Sequence, residues 1–110
     1  MIYFITQGVD FVKIGYTKNS PEARLTALQI GNPDKLSLDL VIPGGMSIEE
    51  SLHIRFQPYH VRGEWYHLCN DIKRFMDSNR GNDTRVVKQP SESIVRAHER
   101  FMALREGYQR

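Results

Sequence analysis

Apolar residues come in short β-branched and aromatic runs at the start of the chain. Ile2–Thr6 and Phe11–Tyr16 flank Gln7-Gly8-Val9-Asp10, and that spacing predicts a hairpin. The period then changes. Ser20 suits an N-cap and Pro21 the first helical position. Leu25 and Leu28 form an apolar stripe, with Gly31 just past an end near Ile30, so a helix is predicted here. Leu36–Ile42 alternates and then turns fully apolar before Pro43-Gly44-Gly45, the pattern of a sheet strand. Ser47-Ile48-Glu49-Glu50 fits a capping box, with Ser47 as N-cap and Glu50 at N3, and Ile48, Leu52 and Phe56 then recur at helical spacing. Pro58 ends that helix, Gly63-Glu64-Trp65-Tyr66 reads as a short extended segment, and Asn70-Asp71 caps a helix carrying Ile72, Phe75 and Met76.

These elements predict one α/β (α+β) domain over residues 1–77, a small three-stranded antiparallel sheet flanked by helices. Residues 78–91 hold little that is apolar and read as a linker. Residues 92–110 read as an amphipathic helix with Ile94, Ala97, Phe101 and Leu104 on one stripe, suited to packing on the core or to pairing two copies into a homodimer.

At 110 residues the chain has room for one core. With 40% hydrophobic and 25% charged residues, its composition is that of a folded domain. No apolar run is long enough to span a bilayer and no signal peptide is evident, so the expected setting is the cytoplasm, without membrane contact. Cys69 is the single cysteine, which excludes a disulfide framework and a Cys-rich zinc module. Residues 1–77 carry eight Lys/Arg against nine Asp/Glu, a balance of −1, whereas residues 78–110 carry seven against four, a balance of +3. A protein that grips duplex through phosphates alone shows a more basic face than the first part offers. Nucleic-acid contact there would be local, metal-assisted or helped by the tail.

Chemistry narrows the candidates. Capping accounts for Glu50, which leaves Glu49 without a structural task and on one stripe with His53. Glu49, His53, His60 and His67 can be read as a zinc site, but no His-x-His or HExxH spacing supports it, and structural or surface histidines are the plainer reading. Trp65 reads as a core anchor before a base-stacking residue. Glu64 is either a second acidic site residue or a partner of Arg62.

Four boxes occur in order: Met1-Ile2-Tyr3; Lys13-Ile14-Gly15-Tyr16-Thr17-Lys18; Glu49-Glu50-Ser51-Leu52-His53-Ile54-Arg55-Phe56; and Gly63-Glu64-Trp65-Tyr66, with Arg24 on the helix between the second and third. This arrangement resembles the GIY-YIG nuclease superfamily, nearest to its phage open-reading-frame-172 (meiotically up-regulated gene 113) branch, over roughly residues 1–77. Met1 stands where the superfamily's first glycine stands, Lys13 replaces the second tyrosine as in that branch, and the late asparagine has no match. The resemblance implies a metal-dependent endonuclease that cuts duplex or branched DNA with one Mg²⁺ or Mn²⁺ ion held by Glu49. Tyr3 would be general base or water-orienting group, and Arg24 a phosphate ligand. Lys13 would sit beside the Tyr3 oxygen, where a cation favours phenolate. Tyr16, His53 and Glu64 would be accessory. The alternative is a nucleic-acid-binding or protein-interaction module on the same fold with little or no catalysis.

Overall fold

The computed structural model describes residues 1–85. Its elements are β1 (Ile2–Gln7), β2 (Phe11–Tyr16), α1 (Pro21–Gln29), β3 (Leu36–Ile42), α2 (Met46–Arg55), β4 (His60–Arg62), β5 (Trp65–His67) and α3 (Asn70–Ser78). The strands form one antiparallel sheet in the order β3-β1-β2-β5-β4.

The expected three-stranded sheet is therefore corrected to five strands. The two extra strands are three residues each, and all of β4 is exposed. So short and polar a pair leaves no alternation to read, and the Gly63–Tyr66 segment passes for a lone extended stretch. Its turn lies at Gly63, which adopts φ 57°, a left-handed conformation that a residue with a Cβ takes at a cost. Brevity and charge also blunt β4 as a sheet edge.

β1, between β3 and β2, is buried on both faces, which is why its sequence is apolar without alternation. One face carries Ile2, Phe4, Val12, Ile14, Leu40, Ile42 and Tyr66 against Leu52 and Phe56 of the α2 segment and Ile72 and Met76 of α3. The other carries Tyr3, Ile5, Leu36 and Val41, covered by Leu25 and Leu28 of α1 and flanked by Trp65.

The helix caps divide. Ser20 caps α1 as expected, its Oγ accepting from the Ala23 N–H at 3.1 Å. The capping box at Ser47 is corrected: α2 starts at Met46 behind Gly45, whose carbonyl accepts from the Ile48 and Glu49 N–H groups, and no side chain caps it. Ile48 stays 43% exposed, so the buried stripe begins at Leu52. α3 likewise follows Cys69 without a side-chain cap, and Asp71 instead accepts from Tyr59 and Arg74.

Residues 80–85, at the start of the expected linker, run along the outer edge of β3. Thr84 N–H donates to the Val41 carbonyl, Arg80 and Arg85 donate to the Asp39 and Leu38 carbonyls, and buried Asp83 pairs with Arg85 at 2.7 Å. The rest of the linker and the C-terminal helix lie outside the described residues. Among the described residues, no helix is long and apolar enough to cross a membrane.

Candidate active site

Strand β5 pairs with β2 only over Phe11, Val12 and Lys13. Beyond Lys13, the backbone on that edge of β2 is met by other elements. Ile14 N–H donates to the Glu64 carbonyl at 3.0 Å, and the Ile14 carbonyl accepts from His53 Nε2 at 2.8 Å. The β4–β5 turn and α2 are thus held against one stretch of strand. A backbone polar group left bare there would carry a free-energy penalty, so these two bonds do what a longer β5 would otherwise do.

Around this gap the functional side chains meet. Tyr3 opposes Gly15 across the β1–β2 ladder and Ile5 opposes Lys13, so Tyr3, Gly15 and Lys13 share one face. A Cβ at Gly15 would overlap the Tyr3 ring and hydroxyl and lie 2.9 Å from Glu64 Oε1. Glycine is required because phenol and carboxylate converge over its bare backbone. Arg24 Nε, from α1, donates to the Tyr3 hydroxyl at 3.4 Å. Lys13 Nζ lies 3.2 Å from Glu64 Oε1 and 5.8 Å from the centroid of the Trp65 ring. Glu64 also lies within 4.8 Å of Glu49, whose Oε2 is 3.9 Å from His53 Nε2.

The electrostatics follow from two carboxyl groups meeting in a half-buried setting. Burial pushes the Glu49 carboxyl above its usual range, and the hydrogen bond and charge of Glu64 push it further, against the pull of His53 and Lys13. The hydrogen bond to Tyr3 raises the Arg24 guanidinium above its ordinary value, so it stays charged. Burial first, then the charges of Glu64 and Glu49, raise the nearby Tyr66 phenol.

Several expectations change. The Lys13 ammonium pairs with Glu64 at 3.2 Å, a partner the resemblance did not name. Glu64 faces Lys13 and Glu49 where Arg62 was the expected alternative partner. Glu49 is not a lone carboxylate. Tyr16 opposes Ile2 and packs on the larger apolar cluster, on the face away from Tyr3. His60 donates to the Gly63 carbonyl and His67 lies beside the Phe11 ring, so neither joins Glu49. His53 must donate through Nε2, because a carbonyl can only accept; this ties α2 to β2. The residue that sequence reasoning underrated is Glu64, which touches both Lys13 and Glu49; its signal was the Gly-Glu-Trp box.

Among the described residues, Glu49, His53 and Glu64 each present a ligand atom within 4.8 Å of the others. Two carboxyl groups held this close, each raising the cost of charging the other, fit a hard divalent ion, which prefers oxygen donors and retains water. With Nε2 engaged at Ile14, the imidazole stands as a neighbour to such an ion, and the oxygens of Glu49 and Glu64 are the natural ligands.

The model of the T5orf172 domain matches residues 1–80. No curated protein and no solved structure matches the chain.

Proposed function

Because the chain belongs to the T5orf172 domain family, we propose that it is a metal-dependent endonuclease hydrolysing DNA phosphodiester bonds with GIY-YIG-type machinery. The observation carrying this reading is the meeting of Glu49 and Glu64 beside Lys13, Tyr3 and Arg24 at the open stretch of β2. Phosphodiester hydrolysis needs a positioned water, neutralisation of phosphoryl charge and help for the departing oxygen. A bound Mg²⁺ or Mn²⁺ would supply much of that charge neutralisation.

The remaining tasks fall to the chain's own groups. Glu49 is the fixed ligand, set on a helix with its side chain only 16% exposed. Glu64 rests on Lys13 and shares in holding the ion; Lys13 then compensates the excess negative charge. Arg24 engages Tyr3 through Nε, leaving the other donors of its planar fork for a phosphate oxygen. Tyr3 orients the attacking water or takes its proton. Tyr3 is only 1% exposed, its hydroxyl set over Gly15 and bonded to Arg24. His53 holds α2, and with it Glu49, in register.

That same burial of Tyr3 is the specific observation favouring the alternative, a binding module without catalysis. One assay separates them. Supercoiled plasmid incubated with the protein in Mg²⁺ or Mn²⁺ should become nicked, and EDTA should stop it. A protein that shifts DNA in gels yet leaves plasmid intact with either ion is the module.

A further inference from the structure

Next to the site lies a groove of about 430 Å³ lined by Gln7, Phe11, Asn32, Val61, Arg62 and Trp65. It is part of the same surface. Trp65 opposes Lys13 across the β2–β5 ladder and Phe11 precedes Lys13 by two residues, so the odd-numbered side chains of β2 run from the groove to the floor at Gly15. At ~3.3 Å per residue, Phe11 and Gly15 are about 13 Å apart along the strand, a short reach for an unstacked nucleotide chain. The β4–β5 turn joins the two places directly, with Arg62 and Trp65 in the groove and Glu64 at the site.

Resting on the nuclease reading, and naming its substrate class, we propose that this groove takes an unpaired nucleobase flanking the scissile phosphate. The preferred substrate is then single-stranded or frayed rather than intact duplex. Four observations support that occupant. Trp65 and Phe11 are both only partly buried, an exposure that pure core anchors do not need. Every base has a π-face, so aromatic shelves accept bases without regard to sequence. Arg62 is exposed at the rim, placing a cation beside the aromatic surface where a strand's phosphates would run. Gln7 and Asn32 add amide groups at the groove, with Gln7 Nε2 donating to Asp34 at 2.6 Å and Asn32 Oδ1 accepting from the Asp34 N–H at 2.9 Å, which leaves the Gln7 oxygen and the Asn32 amide nitrogen to address a base edge. Finally, residues 1–77 have a balance of −1, which disfavours duplex tracking through phosphates and suits a contact dominated by stacking.

Trp65 is the only tryptophan, so its fluorescence reports the groove without any cleavage. The full chain, in EDTA, is titrated with an eight-nucleotide oligothymidylate, an oligouridylate of equal length and a blunt duplex. Quenching by either single strand at about tenfold or more lower concentration than the duplex is the expected result, and the two single strands tell DNA from RNA. Phe11→Leu and Arg62→Ala should each weaken single-strand binding several-fold, with far-UV circular dichroism unchanged. Equal or stronger response to duplex, absence of response to all three, or no effect of either folded variant would overturn the proposal. Because metal is absent, loss of nicking and loss of quenching are separate outcomes, so each reading fails on its own.

Discussion

Gly15 and Glu49 carry the most information per atom. Gly15 has no room for a methyl group, since any Cβ displaces the Tyr3 hydroxyl and crowds Glu64. Gly15→Ala should lower stability by about 1–3 kcal/mol, as overpacking does, and reduce nicking by roughly a hundredfold through misplaced groups. Thermal melting and initial rates measure both. Glu49 sets function against stability. Its carboxyl is raised in the folded protein, so its contribution is fully present below the unfolded value near ~4.5 and is lost as pH rises through the folded one. Above that folded value the Glu49 carboxylate beside Glu64 is therefore a burden. Glu49→Gln should raise the melting temperature of the metal-free protein by a few degrees and remove the extra stabilisation that Mn²⁺ gives the wild type. A lower melting temperature in EDTA would count against the pair.

Among the elements, the β4–β5 hairpin is where sequence reading stops and geometry takes over. β1, β2 and β3 are legible because each is six or seven largely apolar residues between turn signals, β-branched and aromatic in β1 and β2, alternating and then fully apolar in β3. The last two strands are too short and polar to announce themselves, and their turn carries Glu64 into the site. α2 shows a related failure. The sequence pattern sets Glu49 apart by assigning Glu50 to a cap, but no such cap forms. Glu49 faces inward because a helix starting at Met46 places it one turn from Leu52 and His53; Glu50 is exposed for the same reason. The Gly63 turn is testable as an element. With φ 57° and open space around it, Gly63→Val should cost about 1–2 kcal/mol from conformation alone. Gly63→Asn should cost much less, because asparagine tolerates that region. If the valine variant melts and nicks like wild type, Glu64 is not positioned by this turn.

For the molecule as a whole, residues 80–85 close the open edge of β3. Composition suggested a linker there, since Gly81-Asn82-Asp83 and the neighbouring arginines look solvated. The stitching depends on long-range backbone bonds to Leu38, Asp39 and Val41 that no local pattern displays. The Arg85 side chain beside it holds the Asp83 carboxyl below the usual carboxylate range, with its hydrogen bonds outweighing burial. A depressed carboxyl contributes stability above its unfolded value near ~3.9 and loses it as pH falls through the lower, folded value. Asp83→Asn should thus cost about 1–2 kcal/mol at every pH from 5 to 7, with the gap to wild type narrowing only below about pH 4. Melting curves across that range check the sign. A gap that widens in acid would show that the carboxylate is not the stabilising form.

Of the adjacent acidic pair, hydrolysis requires Glu49 and leaves Glu50 idle. Initial rates of plasmid nicking in Mn²⁺, measured side by side for Glu49→Gln and Glu50→Gln, address that directly. The expected result is a loss of about a thousandfold for the first and wild-type rates, within about twofold, for the second. Equal rates in the two variants would contradict a cation-assisted hydrolytic centre between α2 and the open stretch of β2.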